Sequence, residues 1–263
     1  MEKNIRIFGI PKAGKSVYLS VLFDQINKHG FGNYTLDMKD NDASMDYLLM
    51  ILEDLEIKGD TDATPIRHFN ELNLNLCYQE GRKVKTAARI STYDISGEIT
   101  QLIFDPRFHA QIKKSIIPPE FRDDQKRILD LLYSGDCFIL IADPESIIST
   151  FDEQDTMFMI ILDTIKKNKS QRKKSRDRSN NGIKDIKIAF CISKTDLIEV
   201  KNAKEFVQQK MPFTFTYLDI NFENNFICLP ISSLGYNYNL KEFNLNDLKP
   251  INIIEPLRFF LEK

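Results

Sequence analysis

No apolar run in the 263 residues approaches the length of a membrane-spanning helix, which excludes a transmembrane reading. The four cysteines, Cys77, Cys137, Cys191 and Cys228, lack the paired spacing of metal ligands. Each falls in a stretch that reads as a strand, which points to reduced core thiols and against disulfides or zinc. An apolar strand starts within a few residues of Met1 and is expected to leave no room for a secretory signal. Residue Glu2 and the ending Phe260-Leu261-Glu262-Lys263 carry neither a myristoylation nor a prenylation signal. These absences together imply a cytoplasmic protein.

What is present is the composition of an ordinary globular chain, 42% hydrophobic and 28% charged, long enough for one domain over residues 1–263 with insertions. The formal charge of -2 hides an asymmetry. Between Lys166 and Arg178 stand eight Lys or Arg and one Asp, a local +7 that leaves -9 elsewhere. Such a run favours anionic partners through counterion release, which makes nucleic acid or an anionic lipid surface conceivable for a basic loop at about 166–182. No aromatic residue is interleaved for base stacking, so a solvated loop is the competing reading.

The octapeptide Gly9-Ile10-Pro11-Lys12-Ala13-Gly14-Lys15-Ser16 fills every fixed position of the phosphate-binding pattern G-x-x-x-x-G-K-[ST]. Its setting agrees: Asn4 to Phe8 alternates like a half-buried strand, and Val17, Leu19, Val21, Leu22 and Ile26 follow at helical spacing. Gly9 and Gly14 allow the backbone to curl with its N–H groups inward, and a helix N-terminus faces the same hollow. Lys12, Ala13, Gly14, Lys15, Ser16 and Val17 thus become nucleotide-binding candidates. Lys15 supplies charge for the terminal phosphates, and the Ser16 hydroxyl suits Mg²⁺.

Downstream, Tyr47, Leu48, Ile51, Leu52 and Leu55 predict a helix inside an insertion at about 31–58. Strict alternation from Leu72, a turn near Gly81, and the run Ala87 to Asp94 predict an antiparallel hairpin. Residues 99–127, with Pro106, Pro118 and Pro119, read as an extended, partly helical insertion. Cys137 to Ala142 and Ile186 to Ile192 are continuous apolar runs, as expected of strands buried on both faces, and Phe226 to Ile231 is a further strand. Helices are expected over Met157–Ile165, Ala203–Gln209 and Ile254–Glu262. Strands alternating with helices imply an α/β fold with a mostly parallel sheet and helices on both faces, whose ligand sits at the carboxyl ends of the strands.

Three segments after strands carry candidate chemistry. Asp94-Ile95-Ser96-Gly97-Glu98 fits D-x-x-G, in which the Asp reaches Mg²⁺ and the Gly N–H meets a γ-phosphate; the same residues also read as an Asx turn. Ser193-Lys194-Thr195-Asp196 resembles the [NT]-K-x-D motif whose carboxylate accepts two hydrogen bonds from guanine; a helix N-cap at Thr195 or Asp196 is the alternative. Ser232-Ser233-Leu234 resembles the S-A-[KL] loop, whose backbone N–H contacts the guanine carbonyl. Thr64 precedes the hairpin, where a threonine closing over Mg²⁺ is placed, with Thr61 as its competitor.

In this order the elements resemble the Ras-like GTPases of the translation-factor-related class. The loop running into Val17-Tyr18-Leu19, the Ala63-Thr64-Pro65 segment and the ending Pro250 to Leu257 resemble bacterial double-GTPase-like proteins of conflict systems. The resemblance implies a P-loop NTPase with a six-stranded, mostly parallel sheet and one antiparallel edge strand. It also implies a Mg²⁺-dependent GTP/GDP switch. Lys15, Lys12, Thr64 and Glu98 are the catalytic candidates, Ser16, Thr64 and Asp94 the metal candidates. Gly9, Gly97, Lys194, Asp196, Ser232, Ser233 and Leu234 complete the nucleotide set. Glu98 stands where many such enzymes carry Gln, which leaves hydrolysis less secure than binding. Lys12 is a candidate cation supplied in cis, with a solvated lysine as the alternative. The switch loops and residues 99–127, with Arg107, Lys113 and Arg122, are the expected surface for a protein partner or self-association. A non-hydrolysing nucleotide-bound module and an ATP-dependent phosphotransferase are the rival readings.

Overall fold

The computed structural model describes residues 2–10, 12–37, 42–58, 70–94, 104, 119–149, 151–174, 186–235 and 248–262. Its strands are β1 (Lys3–Gly9), β2 (Tyr34–Asp37), β3 (Asn70–Glu80), β4 (Lys83–Asp94), β5 (Cys137–Ala142), β6 (Lys187–Ile192) and β7 (Phe226–Pro230). Its helices are α1 (Lys15–His29), α2 (Asp42–Lys58), α3 (Pro119–Ser134), α4 (Pro144–Ser149), α5 (Phe151–Lys174), α6 (Ala203–Lys210), α7 (Pro212–Phe222) and α8 (Glu255–Leu261).

One sheet carries the strands in the order β2-β3-β4-β1-β5-β6-β7. β4, β1, β5, β6 and β7 run parallel, while β3 is antiparallel to both of its neighbours. The sheet has one strand more than the six expected. The addition is β2, inside the predicted 31–58 insertion, which pairs outside β3 through Tyr34↔Tyr78 and Leu36↔Leu76. It is only 4 residues long, too short for alternation to show against the surrounding polar residues.

All six residues of β5 are buried, and β6 is nearly as closed, so continuous apolar sequence is what their position demands. Phe158 of α5 meets Phe190 of β6 edge-on at 5.0 Å. Of the five positions that sequence periodicity marks, α1 buries Leu19, Val21, Leu22 and Ile26 and leaves Val17 half-buried; it ends at Gly30, whose N–H bonds the Ile26 carbonyl at 3.0 Å. Each such fully buried aliphatic side chain contributes about 1.5–3 kcal/mol.

α3 begins at Pro119, inside the insertion expected to be partly helical, with proline at the first helical position where its missing N–H costs nothing. Two expectations change. α5 runs on to Lys174, so the basic run expected as a loop begins on a helix; Lys, Arg and Gln are good helix formers. The remainder of that loop, residues 175–182, lies outside the described residues. α7 was not foreseen, because its sequence Pro-Phe-Thr-Phe-Thr-Tyr-Leu is rich in residues that favour strands. Tertiary capping decides it: buried Asp155 of α5 accepts the N–H of Phe213 at 2.9 Å and of Thr214 at 2.7 Å, holding the α7 N-terminus.

Candidate functional site

Parallel β1, β4, β5, β6 and β7 deliver their carboxyl ends to one edge of the sheet, the edge where open α/β sheets bind ligands. The segment after β1 is the phosphate loop. A Cβ on Gly9 would lie 2.5 Å from the Ile141 carbonyl of β5, so only glycine lets the two strands close up here. The loop turns through Lys12, at φ 59°, and Gly14, at φ 81°, a left-handed conformation that glycine adopts at no steric cost. Ala13 is fully buried and donates its N–H to the Ile10 carbonyl at 3.3 Å. Pro11 lies outside the described residues.

α1 then starts at Lys15 with no side-chain cap on its N-terminus. Its first N–H groups have no intrahelical acceptor, and with the helix dipole they form an anion site. The Lys15 ammonium donates to the carbonyls of Ile10 at 3.0 Å and Gly9 at 3.2 Å, so the cation arches over the loop. Ser16 and Val17 are half-buried on the first turn, and the Lys12 side chain is exposed.

The segment after β6 is built as tightly. Ser193 donates both its N–H and its hydroxyl to the Ala142 carbonyl, at 2.9 and 3.0 Å, which ties the β6 end to the β5 end. Thr195 likewise gives its N–H and hydroxyl to the Ile231 carbonyl, at 3.2 and 3.1 Å, tying β6 to the segment after β7. With both hydroxyls committed, the residues between them are fixed. Lys194, at φ 53°, places its Nζ 3.0 Å from Oδ2 of buried Asp143. Asp196 accepts a hydrogen bond on Oδ1 from the Ser232 hydroxyl at 2.5 Å, and the Gly235 N–H donates to that hydroxyl at 2.9 Å. The helix N-cap alternative for Thr195 and Asp196 does not hold, since both sit in a turn.

A strap before α8 secures the Ser232 loop. Ser232 and Ile251 exchange backbone hydrogen bonds at 3.1 and 2.7 Å, and the Asn252 carboxamide donates to the Pro230 carbonyl at 2.9 Å. The buried Tyr18 hydroxyl of α1 donates to the Ile253 carbonyl at 2.9 Å. Burial pushes the Tyr18 phenol well above its ordinary pKa, so it stays a donor. The helix of the phosphate loop and the Asp196 loop are thereby joined through one strap.

Lys12, Ala13, Gly14, Lys15, Ser16, Val17, Lys194, Asp196, Ser232, Ser233 and Leu234 thus gather at one edge of the sheet. Asp94 ends β4 at the same edge by its backbone. Thr61, Thr64, Gly97 and Glu98 lie outside the described residues, as do Arg107 and Lys113. Sequence reasoning missed Asp143, Tyr18 and Ile251. Asp143-Pro144 carries the signal of a helix start, and Asp143 Oδ1 does accept the Glu145 N–H at 3.1 Å, but nothing local announces its second partner Lys194. Among the described residues no group of three His, Cys, Asp or Glu gathers, and no helix is long and apolar enough to cross a membrane.

The strand order and the glycine-lysine-serine loop before α1 define a P-loop α/β fold of Ras-like topology with an added edge strand. No protein-family model and no curated protein sequence matches the chain. Among solved structures it is similar to the Arl6 BBS3 small GTPase from Trypanosoma brucei with bound GppNp, at 12% identity and TM-score 0.43, over 99% of this chain and 95% of that one. It is also similar to the S. cerevisiae Ski7 GTPase-like domain bound to GDP and inorganic phosphate, at 14% identity and TM-score 0.47 over 99% of this chain, which spans 49% of that one. Elongation factor SelB from Methanococcus maripaludis with GppNHp gives 13% identity and TM-score 0.42 over 98% of this chain, which spans 34% of SelB.

Proposed function

We propose that the chain binds GTP with Mg²⁺ and hydrolyses it slowly as a molecular switch. The observation that carries this reading is the Ser232–Asp196 hydrogen bond of 2.5 Å at the phosphate-loop edge of the sheet. It uses one lone pair of Oδ1 and fixes the orientation of the group, leaving Oδ2 and the second lone pair of Oδ1 to face a base. A carboxylate matches the N1–H and exocyclic amine of guanine, a donor pair that adenine lacks. The ATP phosphotransferase reading leaves Lys194 and Asp196 without a base to recognise.

Lys15, the uncapped N–H groups of α1 and the loop amides would hold the β- and γ-phosphates. Ser16 fits Mg²⁺: its half-buried hydroxyl on the first turn of α1 is a hard oxygen donor, and a nucleotide-borne Mg²⁺ takes few protein ligands. Thr64 would be the other direct ligand, and Asp94 would reach the ion through a water. When bound, Mg²⁺ neutralises charge on the phosphate oxygens. Gly97 would sense the γ-phosphate, Glu98 would orient water, and Lys12 would cap the phosphates in cis. Lys194, Ser233 and Leu234 complete the base wall. The narrower kinship with bacterial conflict-system proteins, a cytoplasmic location, and a partner or second copy docking on the switch loops and 99–127 belong to the same proposal.

The test is competition binding with GTP, ATP and XTP on wild type and Asp196→Asn, followed by single-turnover cleavage. GTP should bind the wild type at least about tenfold better than ATP, and Asp196→Asn should shift preference toward XTP, whose base exchanges a donor for an acceptor. Equal GTP and ATP affinity overturns the base assignment. Tight GTP binding with no single-turnover cleavage leaves a non-hydrolysing module.

A further inference from the structure

The alternation of β1 buries Ile5 and Ile7 on one face of the sheet and puts Asn4 and Arg6 on the other. Register carries this polar face across three strands. Arg6 pairs with Ser91 and Ser91 with Asn73; Asn4 pairs with Arg89 and Arg89 with Asn75. β1 is an inner strand, and inner parallel strands are ordinarily apolar on both sides, as β5 is. Instead of an apolar seam, a groove of about 640 Å³ lies between this face and the Asp130 and Ser134 side of α3. That volume is in the range of small-molecule sites.

Arg6 is the residue that gives the groove a chemistry. It is 9% exposed, yet among the described residues its hydrogen bonds go to neutral hydroxyls: Nη1 to Ser91 Oγ at 2.5 Å and Nε to Ser134 Oγ at 3.2 Å. A guanidinium has five donors, so most of its fork is left over on a residue that lines the groove. A buried cation without a carboxylate partner is costly to keep. Burial pulls its pKa below the ordinary value, with Asp136 and Glu71 opposing. Arg89, the other guanidinium on this face, is already paired with Glu2 at 2.5 Å. Glu71 and Asp130 also line the groove, which penalises a multiply charged anion and favours a ligand that brings a cation as well.

We propose that this groove is a binding site for a small zwitterion of the amino-acid or dipeptide class, its carboxylate taken bidentately by Arg6 and its ammonium facing Glu71 and Asp130. Asn73 and Asn75, two positions apart on β3, supply carboxamides for its remaining polar atoms. The site is separate from the nucleotide edge, and its occupancy does not depend on the nucleotide reading.

Calorimetric titration of the full chain with each free amino acid and with glycylglycine tests this. Controls are the corresponding carboxamides, inorganic phosphate, and a terminally blocked pentapeptide containing one glutamate. At least one free zwitterion should bind saturably, its carboxamide should not, and Arg6→Met should weaken binding by about tenfold or more, the scale of one charged hydrogen-bonded contact. Asn73→Phe, which fills the groove from the half-buried polar face, should do the same and keeps the test open if Arg6→Met does not fold. Guanine-nucleotide affinity should be unchanged in both. The proposal is overturned by no saturable binding of any zwitterion, by equal binding of the carboxamides, by phosphate binding that Arg6→Met weakens, by the blocked peptide alone binding, or by affinity unaltered in both variants.

Discussion

The Lys194 ammonium stands 3.0 Å from the Asp143 carboxylate, bridging the ends of β6 and β5. Asp143 is almost fully buried while the lysine is about one third exposed, so the pair holds a flexible side chain along one wall of the site. Asp143→Asn separates charge from shape. Asn still caps α4 through the Glu145 N–H but loses the ion pair. On the proposed function, GTP affinity should fall about five- to thirtyfold, about 1–2 kcal/mol after discounting for solvent, with thermal stability little changed. Unaltered GTP affinity would restrict the pair to holding the loop.

Ser232 does two things through one hydroxyl, donating to Asp196 and accepting from Gly235. Ser232→Ala leaves the Gly235 N–H, which is buried, without its acceptor and frees the carboxylate to rotate. Stability should drop by about 1–3 kcal/mol in urea denaturation, the cost of orphaning a buried donor. GTP binding should weaken more than this local loosening alone would cause, while ATP binding stays as weak as before. Parallel losses for both nucleotides would show that the hydroxyl only braces the loop.

Asp155, in the second turn of α5, is a carboxylate that caps a different helix. Its oxygens accept the Phe213 and Thr214 N–H groups, and its own carbonyl accepts the Thr214 hydroxyl at 2.9 Å. Asp155→Ala should cost about 2–4 kcal/mol in chemical denaturation, since it removes a cap and leaves two donors in the interface of α5 and α7. Asp155→Asn, which keeps one acceptor, should recover part of this. A loss below about 0.5 kcal/mol in the alanine variant would mean α7 is set by packing.

That contrast marks how far the sequence reaches. The phosphate loop was legible because its chemistry is local: Gly9, Gly14, Lys15 and Ser16 are fixed by one turn and one helix start. β5 and β6 were legible because burial on both faces leaves unbroken apolar sequence. α7 was not, because its cap comes from Asp155, far away along the chain. Lys194 and Asp196 were singled out by motif, but Asp143, Tyr18 and Ile251 become structural partners only when the strand ends are brought to one edge. Arg6 was invisible for a related reason. An arginine in an alternating strand reads as solvent-facing, and only the strand order shows that β1 lies in the middle of the sheet.

The thiols of buried Cys191 and half-buried Cys228 should make stability depend on alkaline pH. Burial pushes the Cys228 thiol from its ordinary 9.0 up to about 12, and Cys191 in the same core is raised further. Both therefore stay protonated in the folded chain at pH values where the unfolded chain releases their protons. The unfolded state then binds fewer protons than the folded one, so stability falls as pH rises. The contribution is fully present below about pH 9 and is lost above it, by at most about 1.4 kcal/mol per pH unit for each thiol. Urea denaturation between pH 8 and 10.5 should show this decline. The double variant Cys191→Ala, Cys228→Ala should be less stable at pH 8 but flatter across the range. A slope that survives the double substitution unchanged would assign the decline to other groups, with the buried Tyr18 phenol, also raised, the first to substitute.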